Sequence, residues 1–134
     1  MGAIDPFISE LVLDEPSLRW FGFSIVEAHD GIAIVTLAVG TSHVNGNGTT
    51  HGGVVFALAD QAFAMAANTV LRFAATADAQ IAYLASTRVG DLLVATARTA
   101  YHDDRRAVID VEVMSRDRTV ALYRGTARAL RQTQ

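Results

Sequence analysis

The sequence predicts an α+β domain in which a curved antiparallel sheet wraps around one long central helix. Residues 51–71 are almost wholly apolar, and a helix that is apolar on all sides must be buried on most of them. The segments that follow alternate apolar and polar residues with the period of two that strands require. Only short turns separate these segments, and short connections make consecutive strands antiparallel neighbours.

The composition limits the class of protein. The 134 residues predict one domain over positions 1–134. Hydrophobic residues make up 51% and charged residues 19%, which is typical of a globular chain. The net charge of −3 gives no basic field, so we expect no nucleic-acid partner. All 11 basic residues are arginine and cysteine is missing, which excludes a catalytic lysine, a thiolate nucleophile and sulfur metal ligands.

The sequence shows no recognisable targeting signal, so we expect a cytoplasmic protein. The first residues lack the basic and apolar regions of a signal peptide. The apolar helix is long enough to cross a membrane, but it contains the polar residues Asp60, Gln61 and Asn68 and is rich in alanine. We therefore predict a soluble core helix and no membrane partner.

The first twenty residues predict a short helix. Asp5 is a favoured N-cap and Pro6 suits the first turn. We expect this helix to run to about Leu13 and to stop near Pro16. Two aromatic residues should then pack the segment onto the body of the domain: Trp20 and Phe21.

Six strand segments surround the central helix in sequence. Two precede it, over 23–28 and 32–39, and Asp30-Gly31 between them is a strong hairpin signal. A glycine-rich loop over 45–50 leads into the helix. The four later strands are expected over 79–84, 91–101, 106–114 and 120–130. Two dipeptides mark the turns between the last three: Asp103-Asp104 and Asp117-Arg118.

The later strands show which side chains face the core. Ile109, Val111 and Val113 share one face, opposite Asp110 and Glu112. On the last strand Arg124 and Arg128 share the polar face, and the other face carries Ala121, Tyr123 and Ala127.

Gly52-Gly53 stands where the central helix begins. The unpaired N–H groups and the dipole of a helix start favour negative charge, so this is a suitable place for a carbonyl oxygen that becomes an oxyanion. The alternative is structural, because glycines also ease chain entry and close packing.

Asp60 is the one charged residue inside the apolar helix. A carboxylate among apolar side chains is costly to bury unless it is paired or useful, and none of its helical neighbours at three or four residues can pair with it. It is therefore either held by a partner from a strand, or turned to solvent, or a general base or nucleophile.

The separation of Gly52 and Asp60 predicts a dimer. Eight residues span ~12 Å along a helix, whereas a base or nucleophile must lie within about 3 Å of the atom it serves. If both groups act on one carbonyl, Asp60 must come from a second chain across a two-fold interface. The small residues of one helix face leave room for a narrow substrate or for close packing: Gly53, Ala57, Ala64 and Ala67.

Asn45 and His51 are weaker candidates. Asn45-Gly46 is a turn dipeptide, and a histidine before a helix is often a packed cap, although either could hold a water or the acyl carbonyl. The remaining histidines lack metal-ligand spacing, so we expect no metal site. No serine has the Gly-x-Ser-x-Gly setting of a hydrolase elbow, and the glycine loop lacks the lysine of a P-loop.

The combination of Asn45-Gly46, His51-Gly52-Gly53, Phe56–Asp60 and Ala62–Ala64 with Asn68 closely resembles the hotdog-fold acyl-CoA thioesterases of the phenylacetate-degradation (PaaI) type. The resemblance extends over nearly the whole chain, including Tyr83-Leu84 and the strand from Val120 to Gly125. It implies a sheet wrapped around a central helix, and dimers that commonly pair into tetramers with sites shared between subunits.

The resemblance also implies a role for each candidate residue. Asp60 would be the general base or nucleophile, and the Gly52 N–H would polarise the thioester carbonyl. Asn45 would position the carbonyl or the water, His51 would support the loop, and Thr76 stands where relatives often carry the residue that orients the attacking water. The substrate would be a small aryl-acyl-CoA, phenylacetyl-like and possibly hydroxylated, or a medium-chain acyl-CoA. Coenzyme A would enter as part of the substrate, with no separate cofactor.

The sequence departs from the family at Ala85 and Ser86, where Arg-Pro is common, and this departure lies at the rim where coenzyme A would be contacted. On charge alone the phosphate-binding candidates are three arginines: Arg72, Arg88 and Arg124. Two other functions remain open. One is a hotdog dehydratase or hydratase, although the Pro-Gly that often follows its histidine is missing here. The other is a non-catalytic acyl-CoA-binding module.

Overall fold

The computed structural model describes residues 2–130. Its two short helices are α1, Pro6–Leu11, and α2, Pro16–Phe21, and the long helix is α3, Gly52–Val70. A single turn of 3-10 helix covers Thr41–His43. The strands are, in chain order, β1 Ser24–His29, β2 Ile32–Ala38, β3 Ala74–Tyr83, β4 Leu92–His102, β5 Arg106–Ser115 and β6 Arg118–Ala129. They form one sheet in the order β1-β2-β4-β5-β6-β3, with every pair antiparallel.

The core lies between α3 and the inner face of the sheet. Phe63 and Leu58 of α3 are fully enclosed, as are the inward residues Ile109 and Val113 of β5. Each such side chain contributes about 1.5–3 kcal/mol by leaving water. Although α3 is long and apolar enough to cross a membrane, half of its most apolar stretch is buried inside the fold, as the sequence predicts for a core helix.

One face of α3 remains open. Gly53 is exposed, and Ala57, Asp60 and Ala64 are half-buried along the same side of the helix. The prediction that Ala67 belongs to this face is wrong, because Ala67 is buried. The open face closes toward the end of α3, where helix α1 is tied down by the Arg72–Asp5 ion pair. Asp60 can therefore be reached from outside the chain.

The N-terminal region differs from the prediction. Helix α1 ends at Leu11, and α2 was not predicted, because Pro16 begins a helix instead of marking a stop. Proline is favoured at the first helical position, where its missing N–H costs nothing. Phe21 stacks on Phe23 with ring centroids 4.8 Å apart, as expected, but the packing predicted for Trp20 is wrong, since 79% of this residue is exposed.

The strands agree with the prediction except at the start of β3. The Asp30-Gly31 hairpin is confirmed, with positive φ at both residues, as a type I′ turn requires. Strand β3 begins at Ala74, five residues before the predicted start at Ala79. Residues 74–78 are rich in alanine and have weak strand propensity, so pairing with β6 decides their conformation.

Strand β3 forms one edge of the sheet. It pairs with β6 on one side, and no strand within residues 2–130 pairs with its other side. The strand is ten residues long, and most of its residues are exposed in the single chain. A long unpaired edge is a ready template for pairing with another chain.

Candidate active site

His51 caps the start of α3. Its Nδ1 accepts a hydrogen bond from the Gly53 N–H at 2.8 Å, and its carbonyl oxygen accepts one from the Val54 N–H at 2.9 Å. Its own N–H donates to the His43 carbonyl oxygen at 2.8 Å. The histidine therefore fixes both the first turn of α3 and the loop before it, in agreement with the cap interpretation.

The His51 cap does not use the Gly52 N–H. Within residues 2–130 it donates to no acceptor, while the next N–H along the chain is used by His51. Gly52 is the first residue of α3, where the helix dipole concentrates positive charge. The arrangement presents one free donor to an oxygen that carries negative charge.

Tyr83 covers Gly52 from the end of β3. Its hydroxyl donates to the Gly52 carbonyl oxygen at 2.8 Å, and a Cβ at position 52 would lie 3.3 Å from the Tyr83 ring. Gly52 thus has a packing role as well as a free N–H, so the two interpretations drawn from the sequence are compatible. The sequence did not single out Tyr83 as a site residue.

A groove of about 360 Å³ opens beside Gly52. Its walls come from the first turn of α3 and from the segment after β3, and they consist of Thr50, Gly52, Val55, Tyr83, Leu84, Ala85, Ser86 and Thr87. The floor is fixed by a hydrogen bond of 2.7 Å from the Thr87 hydroxyl to the Thr50 hydroxyl oxygen. An extended, narrow molecule could lie in this groove with its end at the Gly52 N–H.

Asn45 closes the loop that precedes α3. Its Oδ1 accepts hydrogen bonds from the N–H groups of Asn47 and Thr49 and from the Thr49 hydroxyl, at 3.0, 3.2 and 3.1 Å. The structure thus confirms the turn that the Asn-Gly dipeptide predicts. The residue is exposed, and its side-chain NH₂ makes no hydrogen bond to residues 2–130, so this amide can donate to a ligand.

Asp60 has a partner from a strand. The Tyr123 hydroxyl of β6 donates to Asp60 Oδ1 at 2.8 Å, which is one of the alternatives that the sequence left open. Burial raises the pKa of the half-buried Asp60 carboxyl above its usual range, and the hydrogen bond from Tyr123 counteracts part of the rise. Oδ2 has no hydrogen bond within residues 2–130.

Tyr123 is a second site residue, after Tyr83, that the sequence did not assign. Its ring contacts Phe56 and Phe63, with centroids 5.4 and 5.6 Å away. Burial and the Asp60 charge raise its pKa far above the usual range, so the hydroxyl keeps its proton and acts as a donor. The signal was its position, since Tyr123 is the one side chain with a hydroxyl among the alternate core-facing residues 121–127 of β6.

Thr76 makes no hydrogen bond to Asp60 within residues 2–130. It is an exposed residue near the start of β3 and pairs with Ala127, whereas Tyr123 pairs with Ile81. Five residues of strand span about 16 Å. One chain therefore presents three separate groups: the Gly52 N–H, the Asp60 carboxylate and the Thr76 hydroxyl.

The arginines differ in how far they are already occupied. Arg72 donates to Asp5 at 2.9 Å, and Arg124 binds Asp110 through two nitrogens at 2.6 and 2.8 Å. Arg88 has no carboxylate within 4.0 Å among residues 2–130. Arg118 donates to the Ser86 carbonyl oxygen at 3.0 Å, beside the groove. Among residues 2–130, no three His, Asp or Glu side chains are grouped to hold a metal ion.

A six-stranded antiparallel sheet curved around one helix, with a carboxylate on the open helix face and a free N–H at the helix start, defines a hotdog-fold protein. The model of the thioesterase superfamily matches residues 47–122, which include both groups. The chain belongs to the thioesterase superfamily.

Known relatives cover most of the chain. Acyl-coenzyme A thioesterase PaaI of Escherichia coli is 37% identical over 105 residues, which are 78% of this chain and 75% of that protein. Its structure superposes with a TM-score of 0.87 at 32% identity, over 92% of this chain and 91% of that one. A mutant of the phenylacetic acid degradation protein PaaI from Thermus thermophilus gives a TM-score of 0.83 at 34% identity, over 87% and 100%.

A more distant relative carries a ligand. A hypothetical thioesterase from Streptococcus pneumoniae, solved with coenzyme A, gives a TM-score of 0.76 at 26% identity, over 84% of this chain and 91% of that one. Two further structures of the streptococcal protein have alanine in place of an aspartate and of a threonine. Those two residues are sixteen positions apart in that protein, as Asp60 and Thr76 are in this one.

Proposed function

We propose that this protein hydrolyses acyl-CoA thioesters to a free acid and coenzyme A, in sites shared between two copies of the chain. The observation that carries the proposal is the half-buried Asp60 carboxylate on the open face of α3, in a chain of the thioesterase superfamily. Its raised pKa makes the carboxylate a stronger base than a solvated aspartate, and its free Oδ2 can accept a proton.

The proposed reaction needs two groups on opposite sides of one carbonyl carbon. The thioester oxygen accepts a hydrogen bond from the Gly52 N–H of one chain, and Asp60 of the other chain removes a proton from water as its oxygen attacks. The carbon–sulfur bond breaks, and the proton passes to the departing thiolate. In the alternative route Asp60 attacks the carbonyl carbon, the carbon–sulfur bond breaks, and an anhydride forms as the thiolate leaves. Water then opens the anhydride to give the free acid and the Asp60 carboxylate, and the proton released from water goes to the thiolate.

The edge strand β3 supports the dimer. Two such strands, paired antiparallel about a two-fold axis, would join two sheets into one and remove both free edges. This pairing would set the start of one β3, with Thr76, beside the end of the other, where Tyr83 covers Gly52. A pairing of two dimers into a tetramer remains a prediction from the family.

The remaining candidates have supporting roles in the proposal. Thr76 orients the attacking water, which the matching aspartate–threonine spacing in the streptococcal relative supports. Asn45 donates its free amide to the substrate carbonyl or to the water. His51 acts on the substrate only indirectly, because its ring nitrogen is used to hold the Gly53 N–H.

The groove beside Gly52 gives the pantetheine arm of coenzyme A a path to the site. Arg88 follows the wall residue Thr87, and Arg118 donates to the carbonyl oxygen of the wall residue Ser86. Both are better placed to bind phosphate than Arg72 and Arg124, which already hold carboxylates. The coenzyme A bound to the streptococcal relative supports this substrate class. The E. coli relative belongs to a phenylacetic acid degradation operon, so we propose an aryl-acyl or medium-chain acyl group, no separate cofactor and a cytoplasmic location.

Thiol release from a panel of acyl-CoA thioesters tests the function. The panel holds phenylacetyl-CoA, a hydroxylated analogue, straight-chain acyl-CoAs and a 3-hydroxyacyl-CoA. We expect thiol release, with the rank order of kcat/KM identifying the acyl class. An enoyl product without thiol from the 3-hydroxyacyl-CoA would indicate a dehydratase instead. Binding without turnover of any substrate would indicate an acyl-CoA-binding module.

A further inference from the structure

We infer that Tyr123 is a positioning residue, whose hydroxyl anchors one oxygen of Asp60 and directs the other toward the substrate. This inference rests on the proposed function, because it concerns how the carboxylate is prepared for that reaction. The geometry that carries it is the 2.8 Å hydrogen bond from Tyr123 to Asp60 Oδ1.

The tyrosine is rigidly held, as a positioning group must be. Only 2% of Tyr123 is exposed, and its ring is wedged between Phe56 and Phe63 at interplanar angles of 62° and 53°. Phe63 in turn occupies the space left by Gly125, where an added Cβ would approach its ring to 2.6 Å. The hydroxyl therefore has one accessible position, set by packing from α3 and β6.

The anchored oxygen determines which oxygen can react. A free carboxylate on a helix surface rotates among several rotamers, and each rotamer that leaves the productive geometry lowers the rate. With Oδ1 bound to Tyr123, the Oδ2 atom is left as the base or nucleophile on the open face of α3. The rest of the local structure cannot replace this bond, because the side chains three and four residues from Asp60 are Phe56, Ala57, Phe63 and Ala64.

The hydrogen bond from Tyr123 lowers the pKa of Asp60, whereas burial raises it. Tyr123 of β6 is the only titratable group that hydrogen-bonds to Asp60 within residues 2–130. The nearby charge of Asp78 on β3 helps to raise the pKa of Tyr123. The inward residues of β5 that face α3 are apolar. Removing the hydroxyl should therefore raise the pKa of Asp60 further, and the acid limb of the rate profile should move to higher pH.

The substitution Tyr123→Phe removes the hydroxyl and keeps the ring, and Tyr101→Phe is its matched control. Tyr101 donates to Asp103 at 2.9 Å on the exposed end of β4, so the control loses the same type of bond away from the site. We expect Tyr123→Phe to lower kcat by about ten- to a hundredfold, to leave KM nearly unchanged, and to shift the acid limb to higher pH. Tyr101→Phe should match the wild type in all three.

The outcomes separate this inference from the proposed function. If the wild type releases no thiol from any acyl-CoA, the function itself fails. If the wild type is active and Tyr123→Phe keeps its kcat and its acid limb, the positioning role is wrong and the function stands. A fall in kcat that comes with a lower Tm and an unchanged acid limb would also overturn the inference, because a loss of packing alone would explain that result.

Discussion

Two tyrosine–aspartate pairs in this protein use the same hydrogen bond in different surroundings. Tyr123 donates to Asp60 at 2.8 Å beneath α3, and Tyr101 donates to Asp103 at 2.9 Å in the exposed turn between β4 and β5. The two bonds differ in length by only 0.1 Å, but the pKa values of the aspartates move in opposite directions. Burial raises the pKa of Asp60, whereas the N–H groups of Arg105 and Arg106 lower that of Asp103 to about 2.

The difference shows that the surroundings of a carboxylate, more than its hydroxyl partner, determine what it can do. Asp103 is surrounded by donors, so its charge is satisfied and its basicity is low. Asp60 has one donor and an apolar environment, and one of its oxygens stays free. The first carboxylate is suited to closing a turn, and the second is suited to taking a proton.

The largest expected effect contrasts the two carboxylates in catalysis. Asp60→Asn keeps the shape and removes the base, so kcat should fall by about 10²- to 10⁴-fold. Asp103→Asn should leave kcat within about twofold of the wild type, because Asp103 lies in the exposed turn between β4 and β5, away from the site residues. Thiol release by both variants, checked for folding by circular dichroism, measures the contrast. Equal activity of Asp60→Asn and wild type would show that another group is the base.

A second effect tests whether Asp60 acts together with the Gly52 N–H of the other chain. Gly52→Pro removes the free N–H at the first helical position, which proline favours, and His51 already has the extended backbone that a residue before proline adopts. Gly52→Ala adds a similar contact with Tyr83 and keeps the N–H. Loss of an oxyanion donor costs about 10²- to 10³-fold in kcat, so proline should reduce kcat well below the alanine variant. Similar rates in both variants would exclude a role for this N–H.

The packing around the Tyr123–Asp60 pair should be sensitive to one methyl group added at position 125. Gly125→Ala places a Cβ within 2.6 Å of the Phe63 ring, and overpacking of this kind costs about 1–3 kcal/mol of unfolding free energy. Gly46→Ala is the control, since nothing lies within 4 Å of the added Cβ, and its change should stay within about 0.5 kcal/mol. Urea unfolding at one protein concentration compares them. An unchanged stability of Gly125→Ala would mean that Phe63 moves freely.

The smallest expected effects are changes in thermal stability, which should have opposite signs for Asp60→Asn and Asp103→Asn and should depend on pH. The folded-state pKa of Asp60 is raised, so ionisation opposes folding and stability falls as pH rises above the unfolded value of about 3.9. The pKa of Asp103 is lowered to about 2, so its contribution is present above about 3.9 and is lost as pH falls toward 2. Thermal unfolding at pH 7 should therefore give a higher Tm for Asp60→Asn than for wild type, and a lower one for Asp103→Asn. Both differences should shrink in acid, and shifts of the same sign would contradict the comparison.

Local sequence patterns were sufficient for most of the fold. The apolar run of α3, the alternation in β5 and the Asp30-Gly31 turn each act within a few residues, and each was predicted correctly. Helix α2 was missed because Pro16 can either end a helix or begin one. The first half of β3 was missed because its alanines carry no strand signal, and its conformation depends on pairing with β6, more than forty positions away.

The site was predicted as far as single residues stand out locally. Asp60 is conspicuous as a charge in an apolar helix, and Gly52 is conspicuous as a glycine at a helix start. Tyr123 was missed because its partner lies 63 positions away. Its place as the one hydroxyl-bearing side chain among the alternate core-facing residues 121–127 marks the residue but does not reveal which group it contacts. Thr76 was suggested by the family resemblance alone, and its contribution to the site remains a prediction.

Mixing two inactive variants tests most directly the central claim that each site is shared between two chains. In a mixed dimer of Asp60→Asn and Gly52→Pro, one site receives an intact Asp60 and an intact Gly52 from different chains, and the other site receives neither. When the two variants are unfolded and refolded together in equal amounts, random pairing should restore about one quarter of the wild-type activity. No recovery, with mixed dimers demonstrated by differently tagged chains, would contradict the shared site.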